Sequence, residues 1–129
     1  QLAVVVDDHR QGVTHIVRGN DLLDSAARQL LLYRALRQSS EPHYTHLPLI
    51  RGHDGKRLAK RHGDTRLESY RAAGVQPERI IGLLALWSGI IPKPEPMSAA
   101  DFAARFTLNT MSPDDRTFTS ENHAWLLGN

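Results

Sequence analysis

The strongest candidate for chemistry is a short basic segment at residues 56–61. It reads Lys-Arg-Leu-Ala-Lys-Arg and follows the turn signal Asp54-Gly55, so four cations fall within six residues of a loop. Residues 51–71 hold seven Lys or Arg against three Asp or Glu, although the whole chain has a net charge of only +2. Such a cluster suits a phosphate contact, and a lysine there can meet negative charge that develops during nucleotidyl transfer. A solvated basic loop would show the same pattern, so the pattern alone leaves both interpretations open.

Arg18 is the second candidate. It directly follows residues 13–17 (VTHIV), whose β-branched composition predicts a strand. In open α/β sheets, ligands bind outside the carboxyl ends of the strands, and a guanidinium fork there can bind a carboxylate through two hydrogen bonds. The alternative is a structural ion pair with Asp7, Asp8 or Asp21.

The elements that would position these side chains form an α/β part. After the strand at 13–17, apolar residues recur with helical spacing over residues 22–36. Residues 43–50 predict a second strand, which Pro48 weakens. Residues 1–12 fit either a buried strand or a helix that ends near a glycine.

A helical part follows the basic loop. Trp87 and Trp125 lie among aliphatic residues at helical spacing, which favours core positions over base stacking. Helices are predicted over residues 67–73, from Pro77 through residue 87, over 99–106 after a cap at Ser98, and over 120–127.

Composition excludes several classes of protein. The chain has no cysteine, which rules out disulfides and thiolate metal sites, and we expect a cytoplasmic protein. No apolar run approaches the length that spans a membrane, so no membrane partner is expected. The seven histidines show no metal-ligand spacing; His43 and His46 are interpreted as surface or packing residues, and no metal site is predicted. Because the chain begins with Gln1, we expect it to be part of a larger protein.

Three segments together resemble the glutamyl-tRNA synthetases, a class I family. Residues 1–23 resemble the stretch that leads into the glutamate-binding arginine, and residues 43–50 (HYTHLPLI) resemble the strand that follows. Residues 53–63 (HDGKRLAKRHG) resemble the KMSKS loop, with Arg-Leu-Ala-Lys-Arg in place of Lys-Leu-Ser-Lys-Arg. KMSKS-like strings are degenerate, but three segments in the correct order make a strong signal.

The resemblance implies a fold class and a division into domains. The expected fold is α/β: residues 1–65 would form the carboxyl-terminal half of a Rossmann-like catalytic domain that includes the KMSKS-like loop. Residues 66–129 would form a helical stem-contact-like region. The resemblance also favours a helix over residues 4–11.

The resemblance also implies roles for individual residues. Lys60 corresponds to the catalytic loop lysine that contacts the phosphates of ATP, and Arg18 corresponds to the arginine that holds glutamate. ATP with Mg²⁺ is the implied cofactor, and any zinc site would lie outside this chain. The implied ATP-binding residues are Asp21, Arg57, Leu58, Ala59, Lys60 and Arg61.

The chain departs from the family pattern at several positions. Arg57 keeps the charge of the first loop lysine, whereas Ala59 lacks the hydroxyl of the loop serine. Ala26 and Ala27 stand where Thr-Pro is usual. The HIGH motif would lie outside this chain, so we expect the fragment alone to be inactive.

The length after the loop favours one branch of the family. Only 68 residues follow Arg61, whereas discriminating glutamyl-tRNA synthetases continue into a large anticodon-binding region. The short segment after the loop resembles that of the glutamyl-queuosine tRNA(Asp) synthetases, which attach glutamate to queuosine at the wobble position of tRNA(Asp). The alternatives are a fragment of an ordinary enzyme that charges tRNA(Glu), and a noncatalytic RNA-binding paralogue. The expected partners are glutamate, ATP and tRNA, and we expect a monomer.

Substitution of the two candidate residues should affect different steps in the complete protein. Lys60→Ala should slow formation of glutamyl-adenylate by on the order of 10²-fold, because it removes charge that stabilises the transition state. Arg18→Ala should instead raise the glutamate concentration needed, because it removes a carboxylate contact. Glutamate-dependent pyrophosphate exchange measures both effects, and unchanged exchange in both variants would contradict the assignment.

Overall fold

The computed structural model of the protein describes residues 1–58 and 65–128. In it the chain divides into two compact units, Gln1–Leu49 and Ile50–Asn129. The sequence analysis expects a catalytic part at residues 1–65 and a helical part at residues 66–129. That functional division stays a prediction. Packing divides the chain earlier because Ile50 begins a strand that pairs within the second unit.

A parallel pair of strands joined by a helix forms the first unit. The order is α1 (Leu2–Arg10), β1 (His15–Gly19), α2 (Leu23–Ala35) and β2 (His43–Leu47), with a single 3₁₀ turn at Asn20–Leu22. The two strands pair in parallel, which requires a connection such as α2 between them. The α/β character predicted for this part is therefore confirmed.

Residues 2–10 form a helix, which decides between the two alternatives for this segment. Leu2 and Val4 are exposed, whereas Val5 is 1% exposed. Tyr33 of α2 is equally buried, and α1 packs against α2. The β-branched run at 4–6 is typical of strands, but helix packing overrides this local preference.

The prediction of one strand over residues 43–50 was wrong at its carboxyl end. β2 ends at Leu47, and a separate strand, β3 (Ile50–Arg51), pairs in parallel with β4 (Arg116–Thr117) in the second unit. Pro48 lies at the break because proline has no N–H to donate to a continuing ladder.

Four helices of the second unit lie where the sequence predicts them, to within one residue. They are α3 (Leu67–Ala72), α4 (Pro77–Trp87), α5 (Ala99–Arg105) and α6 (Ser120–Leu127). The two-residue strand β4 and the 3₁₀ turn at 108–110 were not predicted, because elements this short show no periodicity. Across the described residues, no helix has the length and apolarity needed to cross a membrane.

The core of the second unit is an aromatic and aliphatic cluster. Tyr70, Leu83 and Leu126 are buried, and Trp87 and Trp125 pack against them. The core positions predicted for the two tryptophans are therefore confirmed. A neighbouring cluster contains Ala85, Ile91 and Met97, with Phe102 packed against it.

Side-chain caps begin α5 and α6. The Ser98 hydroxyl accepts a hydrogen bond from the Asp101 N–H at 3.0 Å, as predicted. Thr119, one residue before the predicted start of α6, exchanges reciprocal hydrogen bonds with Asn122. Gly128, at a φ of 87°, ends α6 in the left-handed conformation that glycine adopts most readily.

Gly82→Ala should destabilise the protein even though alanine is the better helix former. A Cβ at residue 82 would lie 1.9 Å from the Glu95 carbonyl oxygen, so the backbone would have to move. We expect a loss of about 1–3 kcal/mol instead of the usual gain of about 1 kcal/mol. Urea unfolding measures the change. The exposed control Ala103→Gly in α5 should cost at most about 1 kcal/mol, and an equal or smaller effect of Gly82→Ala would contradict the close approach.

Candidate functional site

Arg18 lies near the carboxyl end of β1, as the sequence predicts, but it is part of the strand: β1 spans His15–Gly19 and not residues 13–17. It is half-buried and stands in register with His46 of β2. Paired residues of a parallel sheet project from the same face, so the guanidinium and the imidazole are neighbours. The site is thus built on two strands that are far apart in the chain.

Three hydrogen bonds orient the Arg18 guanidinium. Its Nε donates to His46 Nε2 at 3.3 Å, and its Nη1 donates to the Gln29 amide oxygen at 2.8 Å. Its Nη2 donates to the Leu22 carbonyl at 3.2 Å. None of the three acceptors is a carboxylate, so the alternative of an ion pair with Asp7, Asp8 or Asp21 is not what holds this side chain within the described residues. A guanidinium has five N–H donors, and two therefore remain for a ligand.

Tyr44 covers one face of the guanidinium. The Arg18 Cζ lies 4.8 Å from the centre of the Tyr44 ring, within cation–π range. The same ring stacks on His46 at 6.3 Å with an interplanar angle of 11°. Burial raises the pKa of the Tyr44 phenol, and nearby Tyr33 raises it further against the opposing effect of Arg18. Tyr44 therefore stays neutral at physiological pH and provides a constant electrostatic surface for Arg18.

Gln29 extends the network from Arg18 to Gln1, next to the start of α1. The residue is 5% exposed, and its amide nitrogen donates to the Gln1 side-chain oxygen at 2.6 Å. Gln1 in turn donates to the Ser25 hydroxyl at 3.3 Å. Since a buried amide is costly to leave unpaired, the chain of bonds from Ser25 to Arg18 restrains the Arg18 rotamer.

Asp21 belongs to the same strand end as Arg18. It lies in the 3₁₀ turn that directly follows β1. Its carboxylate folds back over Gly19: a Cβ on that glycine would lie 2.6 Å from Asp21 Oδ1 and 2.9 Å from Leu49 Cδ2. The lack of a side chain at Gly19 thus lets the acidic residue lie against the strand end.

The basic loop begins as a hydrogen-bonded hairpin. Gly55 has a φ of 72°, and the Asp54 carboxylate accepts from the Lys56 N–H at 2.9 Å, so the predicted Asp-Gly turn is confirmed. Arg57 then pairs in antiparallel fashion with Arg51 of β3. The Leu58 side chain lines an apolar cavity of about 260 Å³ in the second unit. Ala59, Lys60 and Arg61 lie outside the described residues.

Three residues around Arg18 were missed as site residues. His46 was predicted to be a surface or packing residue, yet it accepts from the guanidinium; Gln29 and Tyr44 were not singled out at all. The one signal that could have paired His46 with Arg18 is the register of the two parallel strands, which the sequence does not give. Among residues 1–58 and 65–128, no three His, Asp or Glu side chains come together in a way that could hold a metal ion.

Comparison with known proteins identifies the family. The model of the class I tRNA synthetases for glutamate and glutamine (E and Q), catalytic domain, matches residues 1–125. The chain belongs to this family. Arg18 and the described part of the basic loop lie within the matched region.

Relatives from both branches of the family cover nearly the whole chain. A glutamyl-Q tRNA(Asp) synthetase of Symbiobacterium thermophilum is 49% identical over 128 residues, which are 99% of this chain and 39% of that protein. A glutamate–tRNA ligase of Desulforamulus reducens is 38% identical over 130 residues, covering 98% of this chain and 26% of that protein. The glutamate–tRNA synthetase structure from Elizabethkingia anophelis superposes with a TM-score of 0.76 at 31% identity, over 96% of this chain and 29% of that one. The chain thus spans less than half the length of each of these relatives.

Gln29→Ala should destabilise the protein, because it leaves Arg18 and Gln1 without a buried partner. We expect a loss of about 1–3 kcal/mol in the free energy of unfolding in urea. Replacement of the exposed Gln11 by alanine is the matched control and should change stability by less than about 0.5 kcal/mol. Equal effects at the two positions would show that the network contributes nothing.

Proposed function

We propose that the complete protein activates glutamate with ATP and transfers it to queuosine at the wobble position of tRNA(Asp). The observation that supports the chemistry best is the Arg18 site within a synthetase family for glutamate and glutamine. The observation that favours tRNA(Asp) is the higher identity to the glutamyl-Q branch over nearly the whole chain.

Arg18 binds a carboxylate of glutamate in this proposal. None of its three described partners is a carboxylate, so the positive charge is uncompensated and two N–H donors stay available. A carboxylate accepts both donors in a bidentate contact, and half-burial strengthens that contact relative to bulk water. The guanidinium is always protonated, so the site stays cationic at any physiological pH.

The basic loop contacts ATP in this proposal. Lys60 stabilises the charge that develops on the phosphates when the glutamate carboxylate attacks the α-phosphorus and pyrophosphate leaves. The other proposed ATP-binding residues are Asp21, Arg57, Leu58, Ala59 and Arg61. The exposed cations Lys56 and Arg57 attract phosphate and repel a metal ion. Mg²⁺ would therefore reach the site bound to the ATP phosphates, where it neutralises part of their charge.

The same proposal includes the division into domains, the cellular location and the oligomeric state. Residues 1–65 contribute the carboxyl-terminal half of a Rossmann-like catalytic domain, and residues 66–129 contribute a helical stem-contact-like region. We expect a cytoplasmic monomer. The parallel β1–β2 pair and the likeness to a glutamate–tRNA synthetase structure support this architecture.

An ordinary glutamate–tRNA ligase is the second candidate, since such enzymes also match most of the chain. Both candidates share the activation of glutamate, and they differ only in the acceptor RNA. The Arg18 site and the basic loop serve both equally, so the acceptor has to be determined by experiment.

The test offers labelled glutamate and ATP to the complete protein with each possible acceptor. The acceptors are queuosine-containing tRNA(Asp), the same tRNA without queuosine, and tRNA(Glu). We expect label only on the queuosine-containing tRNA(Asp), because queuosine supplies the acceptor group. Label on tRNA(Glu) would establish the ordinary ligase, and label on no tRNA with no pyrophosphate exchange would indicate a noncatalytic RNA-binding paralogue.

A further inference from the structure

The stem of the basic loop lies beside β3, on the side opposite β4, and we call β3 with these two flanking segments the ribbon. On one side β4 pairs with β3, and the Phe118 N–H donates to the Arg51 carbonyl at 2.8 Å. On the other side, the Leu58 N–H donates to the Ile50 carbonyl at 2.8 Å. The Gly52 N–H donates to the Lys56 carbonyl at the same distance. Leu58, the last described residue of this stem, precedes Lys60 by two residues in the sequence.

One side chain joins the outer parts of the ribbon. The Nε of Arg51 donates to Oδ2 of Asp115 at 2.6 Å, and its Nη2 lies 2.5 Å from the same oxygen in an ion pair. Its Nη1 donates to the Gly55 carbonyl at 2.9 Å, inside the turn that starts the basic loop. We call this set, Arg51 with Asp115 and the Gly55 carbonyl, the Arg51 clasp.

The clasp is shielded enough to act as a restraint. The Asp115 side chain is 19% exposed and that of Arg51 is 37% exposed. Partly buried, charge-assisted hydrogen bonds are shorter and stronger than exposed ion pairs. A lysine at residue 51 would keep the charge but could not reach both Asp115 and Gly55 with a planar fork.

The two ends of the clasp come from distant parts of the second unit. Gly55 precedes the basic segment, whereas Asp115 directly precedes β4 and α6. A shift of Asp115 would therefore be transmitted through one guanidinium to the turn at residues 52–55. This connection links the carboxyl-terminal part of the unit to the stem of the loop.

We propose that Arg51 and Asp115 are positioning residues for the ATP-dependent step, because they hold the stem that leads to Lys60. The inference rests on the proposed function, since it needs Lys60 to act on ATP. Neither residue has to touch ATP. Their contribution is to hold the described stem, residues 50–58, which precedes Lys60 in the sequence.

The test compares Asp115→Asn with Asp114→Asn in the complete protein. Asp114 is a matched control, because it is an exposed neighbour whose hydrogen bonds link it to Ser112 and not to Arg51. Glutamate-dependent pyrophosphate exchange is measured with and without tRNA, as a function of ATP and then of glutamate. We expect Asp115→Asn to lower kcat/KM for ATP by about tenfold or more, since small displacements of catalytic groups are costly. The KM for glutamate should stay within about twofold, and Asp114→Asn should match the wild type.

Hydrogen exchange provides the readout that does not depend on activity. The Leu58 amide should exchange about tenfold faster in Asp115→Asn, because the stem opens more often, whereas amides of α4 should be unchanged. Arg51→Lys should show the same selective effects, and the double variant should be no worse than the single ones if the pair acts as a unit.

Two results would overturn the inference while leaving the proposed function in place. One is unchanged ATP kinetics in both Asp115→Asn and Arg51→Lys. The other is a general loss of stability, with α4 amides and glutamate KM affected as much as Leu58 and ATP, which would make the pair merely structural. If the wild-type protein itself shows no exchange, the proposed function fails and the inference fails with it.

Discussion

The parallel pairing of β1 with β2 is the constraint on which the Arg18 site depends. It sets Arg18 beside His46 and brings Tyr44 under the guanidinium, although 28 residues separate Arg18 from His46 in the chain. α2, as the connection between the strands, adds Gln29 from above the same face. Within the described residues this guanidinium has no carboxylate partner, and this arrangement favours an anionic ligand over an internal ion pair.

The second unit meets a different requirement, since it has to support a loop. β3 is only two residues long, yet its backbone pairs on both sides and its one arginine bonds to both neighbours. The aromatic core around Tyr70 and Leu83 stabilises the helices that follow. The short hydrogen-bonded stem thus begins the basic loop from a unit with a packed helical core.

Two residues of the basic loop, Arg57 and Ala59, differ from the lysine and serine of the family's loop motif. Arg57 keeps its charge and uses its backbone in the stem, so the first loop position retains both electrostatic and structural roles. Ala59 lacks the hydroxyl of the family serine. Charge acts over a longer range than a hydroxyl hydrogen bond. In the proposed function, losing the hydroxyl at Ala59 therefore weakens phosphate binding less than losing the charge at Arg57 would.

The sequence by itself determined the helices after residue 66, the presence of a strand at Arg18, and the Asp-Gly turn. Each of these follows from local spacing, capping or turn chemistry, which the chain expresses within about ten residues. Only the tertiary structure decided that residues 2–10 are helical, that Pro48 separates β2 from β3, and that Arg18 bonds to Gln29 and His46. It also decided that Arg51 meets Asp115, 64 residues away. Such contacts depend on strand register and on packing between distant segments, and no local pattern contains that information.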